Sequence, residues 1–425
     1  MKSLLLRHGR IIDPANKRDG KGDLAIANGK IVESLPKGEE FEEIDCRGLV
    51  IAPGLIDLHV HLREPGQSAK ETIATGARAA AAGGFTTVVG MPNTSPAVDN
   101  PSVVTWIKEK ADREACVNIF ITGAITKGIA GEELSPIGSM ARAGIVALTD
   151  DGHCVQNHEL MRRALEYARM FQLPVLDHCQ DYGLVGKGVM HEGHWSTLLG
   201  LPGWPSAGEE LIVMRNILLA ELCQTPIHCQ HLTAAGSVRL LREARGRGVP
   251  ISGEVCPHHI ALTDESLQGF DTNFKMNPPL RAEADVEALI QGIADGTVTI
   301  LASDHAPHCA YEKEVEFDMA PFGIVGLETE LGLFLDILVH KRKAIDLPRL
   351  IALLTVEPAN LLRLDRGTLS AGAPADVTVI DPDKEWKVDA GRFQSRSANT
   401  PFHGWELKGR AVRTIVAGKT VWAEG

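Results

Sequence analysis

Eight short runs rich in β-branched residues, each followed by a stretch of helical character, constrain this chain more than any other feature. They read LIDLHVHL, TTVVGMP, NIFITGA, IVALTDD, PVLDHC, PIHCQHL, PISGEVC and VTILASDH, between residues 55 and 305. Helical stretches such as AKETIATGARAAAAGG, NHELMRRALEYARMF and AGEELIVMRNILLAEL lie among them. Strands that alternate with helices pair in parallel, because a long crossover is what returns the chain to the same edge of a sheet. Eight such units predict an α/β fold of the (β/α)8 TIM-like barrel type. An open doubly wound sheet is the competing arrangement, and the lack of a GxGxxG after the first run weighs against it.

The two chain ends read differently. Residues 2–52 and the last stretch, with ADVTVIDP and VRTIVAGKTVWAEG, are short strands with turn punctuation. The economical arrangement pairs them into one small β-sandwich domain, 1–52 with 365–425, flanking a barrel over 53–364. A chain of 425 residues has the length for one large and one smaller domain.

Bulk properties exclude several classes of function. A net charge of −12 argues against a nucleic-acid surface, which needs clustered Lys and Arg. An anionic small substrate stays open, since a local arginine overrides the net field. The opening MKSLLLRHGR is too short for a signal-peptide core or a membrane span. The eight cysteines are scattered with no CxxC, so neither a disulfide framework nor a cysteine-rich zinc site is indicated. The default location is cytoplasmic.

In a barrel, function sits at the C-terminal ends of the strands. His59 and His61 end the first run, and residues i and i+2 on a strand share a face. Asp150 and Asp151 end the fourth run, His178 the fifth, His231 the sixth and Asp304 the eighth. A lone histidine at a strand end is usually a hydrogen-bonded rim residue, which is the reading for His153, His158, His191, His194, His258 and His340. Five rim positions converging on one mouth reverse that reading. Imidazoles and carboxylates without thiolates suit zinc. Four histidines with two carboxylates exceed the needs of one tetrahedral ion and predict two ions sharing a bridge. The chemistry is metal-assisted hydrolysis or its reverse, with Asp304 placed to be ligand and proton shuttle together.

The motifs DLHVHLREPG, GMPNT, DDG, CPHH, NPPLR and SDHAPH resemble those of the dihydroorotases of the amidohydrolase superfamily, along the whole chain. The resemblance implies reversible cyclisation of N-carbamoyl-L-aspartate to dihydroorotate in pyrimidine synthesis, with two zinc ions. It implies His59, His61, Asp151, His178, His231 and Asp304 as metal ligands, with Asp304 catalytic. It implies Arg63, Asn93, Asn277 and His308 as substrate contacts, with Phe322 and Gly323 on a loop that closes over the substrate. Many superfamily members bridge their metals with a carbamylated lysine at the fourth strand. No lysine lies between Lys127 and Lys187 here, so an aspartate must bridge, and register favours Asp151 over Asp150. Arg63 lies two residues beyond His61 and should offer a bidentate fork to a substrate carboxylate.

Rival readings are allantoinase, dihydropyrimidinase or hydantoinase, or a non-catalytic partner of aspartate transcarbamoylase. A homodimer and an association with that transcarbamoylase stay open, as do the roles of His153, Cys154 and Cys309.

Overall fold

A computed structural model describes residues 2–38 and 40–424. The central residues form eight parallel strands, labelled β1 (Leu55–Val60), β2 (Phe85–Gly90), β3 (Asn118–Gly123), β4 (Ala147–Leu148), β5 (Val175–Asp177), β6 (Ile227–Cys229), β7 (Ile251–Val255) and β8 (Ile300–Leu301). They are hydrogen-bonded in sequence order. Closure comes just beyond the regular strands, where Val60 bridges His305 and the His61 amide donates to the His305 carbonyl at 2.9 Å. The result is the barrel that the eight runs predict.

Burial on both faces explains why the runs read as almost continuous apolar stretches rather than alternating ones. All six residues of β1 are buried, as are all six of β2. The helices outside show the complementary pattern. The helix His158–Met170 buries Met161, Ala164, Leu165 and Ala168, an i, i+3, i+4, i+7 stripe against the barrel. Its start is set by Asn157, whose side chain accepts from the Glu159 and Leu160 amides. Asn100 followed by Pro101 starts the helix Pro101–Glu114 in the same way.

The chain ends form a separate, mostly antiparallel sheet. N-terminal and C-terminal strands meet where Val50–Pro53 pairs with Val377–Lys387, in register from Val50↔Ile380 to Pro53↔Val377. The strand Ser3–Asp13 carries Phe41–Asp45 along its first half and Val50–Pro53 along its second, so the sheet branches there. It encloses a core of its own that includes Leu6, Ile11, Ile26, Ile51, Val377 and Ile415. No helix among the described residues is long and apolar enough to cross a membrane.

Candidate metal centre and active site

The C-terminal ends of β1, β4, β5, β6 and β8 bring His59, His61, Asp151, His178, His231 and Asp304 into one buried cluster. Asp151 is its hub. Its Oδ1 lies 3.4 Å from His59 Nε2, 3.5 Å from His231 Nε2 and 3.7 Å from His178 Nδ1, and its Oδ2 lies 3.4 Å from His61 Nε2. Asp304 Oδ1 sits 3.0 Å from His61 Nε2 and 3.4 Å from His59 Nε2. Asp150 turns away instead, accepting the Thr126 amide at 3.0 Å and the Thr126 hydroxyl. Two adjacent aspartates at the end of a two-residue strand face opposite ways, and the structure puts the second among the imidazoles.

These spacings suit a cation. Two ligand atoms on a tetrahedral zinc ion at its usual bond lengths stand about 3.3 Å apart. Asp151 Oδ1 is buried, and among the described residues nothing donates a hydrogen bond to it. The donor atoms fall into sets that each pass through Asp151 or Asp304: His59, His61 and Asp151; His59, His231 and Asp304; Asp151, His178 and His231. A buried carboxylate oxygen without a donor, ringed by imidazole nitrogens, is what a metal-ligand set looks like without its ion.

Three of the imidazoles are oriented from behind. His59 Nδ1 is 2.6 Å from Glu254 Oε1, His61 Nδ1 is 2.9 Å from Asn93 Oδ1, and His178 Nε2 is 2.8 Å from Gln180 Oε1. Each acceptor takes the N–H of one ring nitrogen, so the lone pair of the other points into the cluster. Burial alone would push the Asp151 carboxyl up, but His59, His178 and His231 hold it well below the usual carboxylate range. Asp304 follows the same balance, with burial overcome by His59 and His61. Both carboxylates are therefore ionised.

A cavity of about 160 Å³ opens over the cluster. It is walled by Arg63, Asn93, Asn277, His308, Phe322 and Gly323 together with His61, Asp151, His178, His231 and Asp304. The sequence-predicted site residues thus share one space, except His59, which is fully buried beneath it. Arg63 reaches the mouth by a left-handed turn at φ 61°, because β1 has already ended at Val60. Its Nε donates to the Pro307 carbonyl at 3.2 Å, and among the described residues it has no ion-pair partner. Burial lowers Arg63 to about 10, opposed by Asp304 and Asp151, so it stays charged at neutral pH. Asn277 Oδ1 is buried without a donor. His308 Nε2 donates to the Phe322 carbonyl at 2.8 Å, and burial, then Arg63 and Lys313, lower it to about 2, so it is neutral.

Sequence reasoning missed Glu254 and Gln180. Glu254 was legible as a lone acid inside the buried run ISGEV, where Ser252 and Glu254 share a face by strand alternation. Gln180 lies in the loop after β5, where periodicity carries no signal. Asn93 has a position beyond the expected one: it lines the cavity and also backs His61.

A closed parallel barrel with four imidazoles and two carboxylates on its C-terminal rim, under a cavity holding an arginine, has the fold and site of the amidohydrolase class. The comparisons agree on the fold. L-hydantoinase (dihydropyrimidinase) from Arthrobacter aurescens superposes with a TM-score of 0.89 at 22% identity, covering 100% of this chain and 97% of that one. Dihydropyrimidinase from Brevibacillus agri gives 0.86 at 22% identity, covering 99% and 95%. A family model described as dihydro-orotase-like matches residues 48–237. The curated dihydroorotase of Geobacter sp. (strain M21) is 51% identical over 426 residues, spanning 100% of both chains. That of Pelotomaculum thermopropionicum is 50% identical over 420 residues, 98% of each. The chain belongs to the dihydroorotase family.

Proposed function

We propose that this chain is a dihydroorotase, interconverting N-carbamoyl-L-aspartate and (S)-dihydroorotate plus water in pyrimidine (UMP) biosynthesis. The barrel, 53–364, carries the chemistry, and 1–52 with 365–425 form the β-domain beside it. The observation that carries the reading is Arg63: a buried guanidinium with no carboxylate paired to it among the described residues, in the same cavity as Asp304. A buried cation calls for a counter-ion, and a substrate carboxylate supplies it.

The donor set fits zinc: His59, His61, Asp151, His178, His231 and Asp304 would hold the metal, with enough donors for two ions. When bound, such ions supply an activated water, with a pKa near 7 on zinc, and polarise the reacting carbonyl. The protein does the rest. Arg63 fixes the carboxylate, and Asn277 and Asn93 face the neutral ureido group with amide groups. His308 holds the Phe322 carbonyl and borders Arg63, with its Nε2 3.5 Å from the guanidinium. In hydrolysis, Asp304 takes the proton of the attacking water and delivers it to the ring nitrogen as the C–N bond breaks. In cyclisation, Asp304 takes the ureido N–H proton while that nitrogen attacks the carbon of the protonated side-chain carboxyl. Asp304 hands that proton to the departing hydroxyl, which leaves as water as its C–O bond breaks.

The decisive test is turnover of dihydroorotate, allantoin and hydantoin by zinc-loaded protein and by protein stripped with chelator. Zinc-dependent turnover of dihydroorotate is expected, and preference for either other ring would reject the reading. Arg63→Met is expected to weaken kcat/KM for dihydroorotate roughly 10- to 150-fold, the worth of a charge-assisted hydrogen-bonded pair. Any turnover of uncharged dihydrouracil should change little. Equal loss on both rings would argue against the assigned role.

The partner expected is a second copy. On the helix Ala207–Cys223, Leu211, Met214, Leu218 and Leu222 face solvent, 39–62% exposed. They recur every three or four residues, and the pairs Leu211 with Leu222 and Met214 with Leu218 are both centred near residue 216, so an antiparallel copy across a two-fold axis there sets each residue against its pair. Sedimentation velocity should give a dimer that Leu218→Glu converts to monomer. A monomeric parent protein rejects this. Eight free thiols with no disulfide among the described residues fit a reducing, cytoplasmic setting.

A further inference from the structure

Lys275 and Lys313 lie behind the cavity wall formed by Phe322 and Gly323, which Lys275 meets directly and Lys313 meets through Pro321. Neither has a part in the chemistry above. They are 2% and 6% exposed, yet among the described residues neither has an ion-pair partner; their amines meet backbone carbonyls instead. Buried lysines are ordinarily paired with an acid.

Each lysine uses both its side chain and its main chain to join the same two segments. Lys313 Nζ donates to the Thr272 carbonyl at 3.1 Å and the Pro321 carbonyl at 2.7 Å, while the Lys313 carbonyl accepts from the Thr272 hydroxyl at 2.6 Å. Lys275 Nζ donates to the Asp318 carbonyl at 2.9 Å and lies 4.6 Å from the centre of the Phe322 ring. The Lys275 carbonyl accepts the Gly323 amide at 2.9 Å. One segment, 271–277, leads directly to Asn277. The other, 309–323, ends at Phe322 and Gly323. Beyond the short helical turns Ala310–Lys313 and Thr272–Phe274, neither segment has regular structure to hold it. Gly323 packs closely against the rim, since a Cβ there, at φ 105°, would stand 2.6 Å from the Ala306 Cβ.

We propose that Lys275 and Lys313 are positioning residues that staple the 309–323 loop to the 271–277 segment, and that their buried charge, added to that of Arg63, favours carboxylate-bearing substrates. The charge part rests on the dihydroorotase reading; the staple does not. Burial lowers Lys275 to about 8, and burial with the charge of Lys275 lowers Lys313 to about 7. A nearby substrate carboxylate opposes both shifts, so binding and protonation reinforce each other.

The test uses the zinc-loaded full chain with Lys275→Met, Lys313→Met and the double variant, which keep the apolar stems and remove the donors. Each single variant is expected to raise KM for dihydroorotate roughly tenfold with kcat within about threefold, because wall placement, not chemistry, is lost. The double variant should be little worse than the worse single, since both remove one staple. Hydrogen–deuterium exchange should rise in 309–323 and stay unchanged in the barrel strands. Unchanged loop exchange overturns the staple, and so does exchange that rises throughout the barrel, which marks a general folding role. Binding of dihydroorotate should weaken more than that of uncharged hydantoin, and equal weakening overturns the charge assignment. A parent protein that turns over no dihydroorotate rejects the functional reading, while loop exchange in the same proteins still decides the staple.

Discussion

Asp304→Ala is expected to lower turnover in both directions by roughly 10³- to 10⁴-fold while dihydroorotate binding largely survives, the pattern for loss of a positioned general acid–base. The argument rests on where the carboxylate sits. Asp304 follows the end of β8 with φ 48°, a left-handed turn that swings its side chain back over the rim. Its Oδ1 meets His61 and His59, and the side chain stays 12% exposed on the cavity side, against 2% for Asp151. Both cluster carboxylates line the cavity, and Asp304 is the more exposed of the two. Asp304→Asn keeps the shape and a metal-facing oxygen but cannot carry the proton, so it should lose as much turnover as Asp304→Ala. Steady-state rates in both directions, with zinc content measured on the same samples, separate lost proton transfer from lost metal. Activity within a few-fold of the parent in Asp304→Asn would sink the assignment.

Much of this site is legible in the sequence because strand ends in a barrel are fixed points. His59, His61, Asp151, His178, His231 and Asp304 each follow an apolar run, and the run's end locates the residue on the rim without any knowledge of packing. The barrel itself is legible for the same reason: all eight runs are strands, though β4 and β8 shrink to two residues each. Reach is less legible. Alternation predicts that Arg63 shares a face with His61, yet the strand has ended by then and a positive φ does the aiming. The orienting groups behind the imidazoles are hardest to read. Asn93 comes from the loop after β2 and Gln180 from the loop after β5, and their pairing with His61 and His178 depends on how loops settle on the rim. Lys275 and Lys313 are silent for a related reason, since their partners are backbone carbonyls, which every residue has.

Glu254 shows how much such a hidden group can matter. Its Oε1 takes the His59 Nδ1 proton at 2.6 Å and the His231 amide at 3.1 Å, and its Oε2 stands 3.0 Å from His228 Nε2. Burial would raise this carboxyl, but His59 and His228 hold it well below the usual range, so it is an anion at every working pH. One carboxylate therefore fixes the tautomer of His59 and the backbone carrying His231. Glu254→Gln keeps the volume but has a single acceptor oxygen. If that oxygen stays on His59, the amide NH₂ faces His228 Nε2, which must give up its proton and shift to the tautomer that donates from Nδ1 to Ser252, 2.8 Å away. The shift is available, so the fold should survive. The lost negative charge makes His59 a weaker base, and zinc affinity is expected to fall roughly 10- to 100-fold, as for other groups behind a metal-ligating imidazole. Glu254→Ala has no such recourse and should also cost about 3–5 kcal/mol of stability, because it strands buried imidazole N–H groups without an acceptor. Competition for zinc against a chromogenic chelator measures the first effect and thermal unfolding the second. Zinc affinity within twofold of the parent in both variants would mean that His59 is held by packing alone.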